Sequence, residues 1–401
     1  MRAALTASFA LSTAALGVAL FSARPAPAHG GREHVHGPHG HTHGAHGHAH
    51  GAPGHAHAGG VPELAAHADL RLLALPAPGA DSDQNTTRQA VAEALVDHDF
   101  RRALAAAEAW VRAGRFDPWT LMAVSDAHLE LGELDAAETT LQRVLDVKPT
   151  APTYFRAAYL LHLRGRDADA ISALELAVES TPRQAIRERA WTLTELGDVQ
   201  RFAGELAAAE ASYRRALSEN PRWSGARVGL ARCARARGEL SLAAELLREA
   251  EAKPSTLSEL ALLERALDQP QRAQRTLQEA LALGRSDDHY ARMLAHALAD
   301  HGVDTAEAVA LARHELIVRP NAHTWDALAH ALWADGQSAA ALSAARRALS
   351  WGTQEPELLF HAGLAAAASG EREQARAWLS EAYRRDPGLT WHPQALALDT
   401  L

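Results

Sequence analysis

From about Gln84 onward the apolar positions recur with a helical period, and the stripe restarts repeatedly instead of accumulating into one long core segment. Earlier in the chain that period is absent. Residues 29–60 are a histidine and glycine tract with almost nothing apolar larger than Val35. Residues 61–83 carry one short apolar segment, Leu70, Leu72, Leu73 and Leu75, broken by Pro76 and Pro78. The pattern predicts helices over the last three quarters of the chain, a disordered arm at 29–60 with no core to offset backbone entropy, and a linker with a candidate docking segment at 61–83.

The helical part is self-similar. Gly132, Gly165, Gly204, Gly238, Gly302, Gly336 and Gly370 are separated by 33, 39, 34, 64, 34 and 34 residues, and Asp268 stands near the place of the glycine missing from the long gap. Pro149, Pro182, Pro221, Pro254, Pro320 and Pro387 each follow by 16 to 18 residues, keeping the same phase. A small residue lies about five after each mark (Ala137, Ala170, Ala209, Ala243, Ala308, Ala341, Ala375), and Ala177, Ala216, Ala250, Ala348 and Ala382 recur at twelve. Glycine supplies the positive φ of a helix-to-helix turn, alanine lets two helices approach closely, and proline stops the second helix.

With a period of about 34 residues, the chain resembles the tetratricopeptide-repeat (TPR) family. Trp325, Leu328, Ala329, Gly336, Ala341 and Ala348 match that family's aromatic, Leu, small, Gly, Ala and Ala positions, and Leu196, Gly197, Gly204, Ala209, Tyr213, Ala216 and Pro221 do so in an earlier unit. The resemblance implies an all-α, right-handed superhelical solenoid of about eight to nine helical hairpins, with units near 84–117, 118–150, 151–184, 190–223, 224–253, 254–287, 289–321, 322–355 and 356–389 and a C-terminal tail at 391–401. Three departures stand out. The unit at 254–287 lacks the glycine and ends at Gly284 instead of proline, Glu315 replaces the usual alanine in the next, and five extra residues precede the unit at 190.

Composition adds location and narrows the chemistry. Arg2, the apolar run Ala3 to Phe21 and Ala26-Pro27-Ala28 before His29 have the layout of a secretory signal peptide, 1–28, with cleavage expected after Ala28 and a periplasmic or secreted product with no stable membrane anchor. Thr6, Ser8, Ser12 and Thr13 weaken the alternative of an uncleaved anchor. The only cysteine, Cys233, can form no internal disulfide. The net charge of -9, which becomes -11 once Arg2 and Arg24 are removed, argues against nucleic acid as the main partner. Neither a P-loop, a G-x-S-x-G elbow, H-E-x-x-H, C-x-x-C nor a Rossmann glycine run occurs, so no catalytic residue is assigned and no cofactor is required.

Within the resemblance, the first helix of each unit lines the concave surface, where proteins of this family bind partners. That places Trp119, Phe155, Tyr159, Trp191, Arg201, Arg232, Arg235, Arg265, Tyr290, Trp333 and Phe360 in a candidate groove for a protein or peptide. The four arginines would meet an acidic segment or a terminal carboxylate. The alternative is an ordinary solvated face with the aromatics packed between hairpins. The arm offers His34, His36, His39, His41, His43, His46, His48, His50, His55 and His57, a flexible multidentate set for loosely held Ni, Zn or Cu ions, so metal storage or delivery is the alternative function. His323, Asp326 and His330 share one helix face and form a minor metal candidate that needs a third ligand.

Overall fold

The computed structural model describes residues 82–396, which lie in one compact unit, and every regular element among them is helical. The export segment, the histidine arm and residues 61–81 of the linker lie outside the described residues, so the ten arm histidines do too. Nine consecutive hairpins follow. They pair α1 (Ser82–Val96) with α2 (Phe100–Arg112), α3 (Pro118–Glu130) with α4 (Leu134–Leu145), and α5 (Ala151–Leu163) with α6 (Asp167–Ser180). The next are α7 (Ile186–Phe202) with α8 (Leu206–Glu219), α9 (Ser224–Ala236) with α10 (Leu240–Arg248), and α11 (Pro254–Ala266) with α12 (Pro270–Gly284). Last come α13 (Ala291–His301) with α14 (Thr305–Val318), α15 (Ala322–Ala334) with α16 (Ser338–Ala348), and α17 (Pro356–Ala368) with α18 (Arg372–Arg385).

Local chemistry sets the helix boundaries. α3 starts where the Asp117 side chain accepts from the Thr120 N–H at 3.2 Å with Pro118 in the first turn, and α15 starts where Asn321 accepts from Thr324 N at 3.0 Å. α3 ends at Gly132, whose φ of 73° lets the Glu133 N–H return to His128 O at 2.8 Å. At the site of the missing glycine, Asp268 adopts a φ of 57°, a conformation its short polar side chain tolerates better than most. The seven alanines five residues after the turns are all fully buried, which brings paired helices into close contact. Tyr213 fills the notch left by Gly197 and Gly229, where a β-carbon on either glycine would strike its ring.

The departures from the repeat have structural outcomes. The five extra residues lengthen the first helix of their hairpin, so α7 begins at Ile186 and runs 17 residues. Glu315 is buried where alanine is usual, and its charge is met by Arg319 Nε at 2.6 Å. Residues 391–396 are not a free tail. Ala395 is buried with Leu389, and Gln394 Nε2 donates to Ala299 O at 3.0 Å.

The coil also returns on itself. Trp351 Nε1 donates to Gly132 O at 3.2 Å, Asn321 Nδ2 to Glu130 Oε2 at 2.8 Å, and Arg385 Nη1 to Phe202 O at 3.0 Å. The turns of hairpins two to five thereby rest on the connections of hairpins eight and nine. For this reason the later first helices are buried on most faces, α17 without interruption from Leu358 to Ala366. Gly165 shows how close the approach is. Its φ is 70°, and a β-carbon there would fall inside contact distance of the Gly352 carbonyl. Gly165→Ala is expected to lose roughly 2 kcal/mol or more in denaturant unfolding, whereas Gly336→Ala, with a φ of 76° and open space, should lose only about 1 kcal/mol. Equal losses would show that the turns do not bear on each other in solution.

Candidate functional site

The first helices of hairpins four to nine enclose a cavity of about 190 Å³. Two sets of side chains meet in its wall, one built on arginines from α7 and α9 and one on histidines from α13 and α17, with Phe202 and Phe360 beside them. The coil's return puts them there, since α17 and the segment after α18 close the cavity against α7 and α9.

In the arginine set, Arg201 is completely buried and its Nη1 donates to Asp386 Oδ2 at 2.8 Å and Glu357 Oε1 at 3.2 Å. Arg235 donates to Glu259 at 2.8 Å and Asp386 at 3.2 Å, and Arg232 Nε to Glu259 at 3.1 Å. Burial pushes the Asp386 and Glu259 carboxyls up, but the facing arginines outweigh it and hold both below their usual values. Arg201 Nε and Nη2 and Arg235 Nε are buried and make no hydrogen bond to any described residue, nor does Glu357 Oε2.

The histidine set carries one ring from each of three consecutive first helices. His296 Nδ1 lies 3.4 Å from His330 Nδ1, and the His330 and His361 rings stack with centroids 4.0 Å apart. His361 Nδ1 lies 2.9 Å from Asp326 Oδ2. Burial, with the neighbouring imidazoles adding to it, pushes His330 down to about 3 and His361 to about 4, and moves His296 the same way. All three are therefore neutral at pH 7, with a lone pair on one nitrogen of each ring.

A third cluster bridges the coil beside the cavity. His162 Nδ1 lies 2.8 Å from Asp167 and its Nε2 3.2 Å from Glu355, while His323 Nε2 approaches Glu355 at 2.8 Å. Burial opposes the charge on His162, but the two carboxylates prevail and raise it to about 9. Cys233 is inert, its thiol pushed up to about 12 by burial.

The residues expected along an open groove are placed differently. Trp119, Phe155 and Phe360 are buried, Phe155 against Trp191 with centroids 3.9 Å apart. Tyr159 and Trp333 are half-buried, Tyr159 with its hydroxyl 3.4 Å from His323 Nδ1, and Tyr290 is half-buried in the turn before α13. Arg201, Arg232 and Arg235 do converge, but on carboxylates of this chain. Arg265 stays exposed and donates to His301 Nδ1 at 3.3 Å. The helix-face trio of His323, Asp326 and His330 does not gather. His323 turns to Glu355, Asp326 to His361, and His330 to His296. Sequence reasoning missed His296 and His361, although histidines spaced 34 and 31 residues apart on successive first helices were a readable signal.

A family model described as tetratricopeptide repeat matches residues 122–185, 194–256 and 327–390. No curated protein matches the chain. Among solved structures, the chain is similar to PilW, titled a widely conserved type IV pilus biogenesis factor, at 20% identity and a TM-score of 0.45 over 55% of this chain and 100% of that one. It is also similar to the APC/C hetero-tetramer Cut9-Hcn1, at 17% identity and a TM-score of 0.40 over 82% of this chain and 67% of that one. A tetratricopeptide repeat protein from Parabacteroides merdae gives 18% identity and a TM-score of 0.33 over 61% of this chain and 98% of that one. The phased hairpins and the family model lead to one conclusion: the chain belongs to the tetratricopeptide-repeat family.

Proposed function

We propose that this protein is an exported interaction scaffold that binds a protein or peptide partner on the concave side of the coil by taking an acidic group of that partner into the arginine set. The observation that carries this reading is the buried Arg201 Nε and Nη2 and Arg235 Nε, three covered donor nitrogens of residues that line the cavity, with no acceptor among the described residues. Buried donors of this kind cost about 1–3 kcal/mol each until they are met, more when charged, and a carboxylate meets two at once. Asp386 supports the same chemistry, since the chain's own carboxylate is already gripped by these two arginines. A cavity of about 190 Å³ admits a side chain or a terminal carboxylate, not a helix about 10 Å across, so the rest of the partner lies outside it. The layout of residues 1–28 supports export, and N-terminal sequencing of periplasmic protein should begin at His29.

The test is calorimetric titration with short acidic peptides, each prepared with a free and an amidated C-terminus. Binding through the arginine set should weaken at least tenfold on amidation or on replacing the peptide's acidic residues, and similarly with Arg235→Gln. Peptides bound equally well by the Arg235 variant, with its helical content intact, would place the partner elsewhere.

A further inference from the structure

We propose that His296, His330 and His361 form an internal site for one divalent transition-metal ion of the Zn²⁺, Co²⁺ and Ni²⁺ class, separate from any ion held by the histidine arm. Each ring offers a nitrogen, and the three candidate ligand atoms lie within 4.8 Å of one another. The 3.4 Å between His296 Nδ1 and His330 Nδ1 is the separation of about 3.4 Å expected for two donors each about 2.1 Å from a tetrahedral ion. The other separations, up to 4.8 Å, would have to close by as much as about 1.4 Å on binding.

The second nitrogen of two of the rings supplies the stronger argument. His361 faces Asp326 Oδ2 through Nδ1 at 2.9 Å, which leaves Nε2 for an ion. His330 faces Gln394 Oε1 through Nε2 at 3.1 Å, which leaves Nδ1, the atom that points at His296. His296 Nε2 lies 3.9 Å from Asp326 Oδ2, beyond hydrogen-bond range, so its Nδ1 is assigned to the ion by its position beside His330 alone. For His330 and His361, one nitrogen faces an outer oxygen and the other is left over, the pattern by which second partners orient metal-binding imidazoles. Asp300 Oδ1, 3.8 Å from His330 Nε2 and 3.5 Å from His392 Nε2, adds a second carboxylate. Asp300 therefore flanks the group on its outer side, and the adjoining cavity leaves room for a water as fourth ligand. Neutral imidazoles favour borderline ions over Mg²⁺ or Ca²⁺, which need oxygen donors.

The experiment uses the full chain with the ten histidines from His34 to His57 replaced by serine, and Zn²⁺ alone as the probe. An ion held by three helices binds only the folded state, so one equivalent of Zn²⁺ should raise Tm by several degrees, and Co²⁺ should give the visible absorption of a low-coordinate nitrogen site. His330→Gln should abolish both, and Asp326→Asn should weaken binding by about 10- to 100-fold. His323→Gln, on the same helix as His330 but paired with Glu355, should keep both. If His330→Gln lacks a cooperative transition, His296→Gln, the least buried of the three, decides in its place. An equal rise in Tm in that variant, an equal rise with Mg²⁺, or no rise and no Co²⁺ absorption in the parent would overturn the site.

Discussion

Asp386→Ala is expected to destabilise the protein by about 3–5 kcal/mol, although the residue lies beyond the last repeat helix. Asp386 is fully buried, its Oδ2 accepts from Arg201 and Arg235, and its Oδ1 accepts from Gly388 N at 2.8 Å. Without it, Arg201 stays buried with Glu357 as its remaining ion-pair partner. Removing one partner of a buried pair leaves an uncompensated charge, which costs far more than the pair itself contributes. Two comparisons separate that cause from lost packing. Asp386→Asn keeps the shape and should recover little. The Arg201→Met, Asp386→Leu double variant removes both charges and should regain much of the loss. Urea unfolding gives the totals, and trypsin cleavage near Arg384 and Arg385 should report local undocking of hairpin nine first. A double variant as unstable as the sum of its parts would show that packing, not charge, holds this end.

How far the sequence could be read follows from the range of the interactions. Turns and close helix contacts are local, and each leaves a residue-type mark. The glycines stand at positive φ, the alanines are buried, and even the substituted position at Asp268 takes the turn conformation. The return of the coil is different. Trp351 with Gly132 and Arg385 with Asp167 are 219 and 218 residues apart, and no periodic pattern encodes which turn rests on which. Consequently Trp119, Phe155 and Phe360 could be read either as a groove or as aromatics packed between hairpins, and no local mark pointed to the two carboxylates that meet Arg201. One clue was present: first helices such as α15 and α17 are apolar or small on nearly every face, which suits a helix covered on all sides rather than one lining an open channel. The histidine set escaped notice because a side chain on each of three helices has a spacing in sequence but no local motif.

The pH dependence of stability tests the return of the coil from another direction. His162 is raised to about 9 against about 6.5 in the unfolded chain, because burial, which opposes its charge, is outweighed by Asp167 and Glu355. A group whose folded value is raised gives its full stabilisation below the unfolded value and loses it as pH climbs through the folded one. The contact should therefore be complete at pH 6 and gone by pH 9.5, a change on the order of 3 kcal/mol at most. The groups around it do not blur the sign. Tyr159 is raised far above this window, Asp167 and Glu355 are both lowered, so their contribution is lost only at acid pH, and Glu195 and Asp198, raised by burial beside His162, lose stability with rising pH in the same sense as His162. His296, His330 and His361 are lowered and act only as pH falls below about 6.5. Asp326, pushed up to about 8 by burial, loses stability over part of the same range, so the measurement must be a difference. His162→Gln should already lack at pH 6 what the parent loses on the way to pH 9.5, and its denaturation midpoint should change less with pH by that amount. Parallel pH profiles for the two proteins would mean that His162 is uncharged in the folded state, and that the Glu355 connection is held by His323 alone.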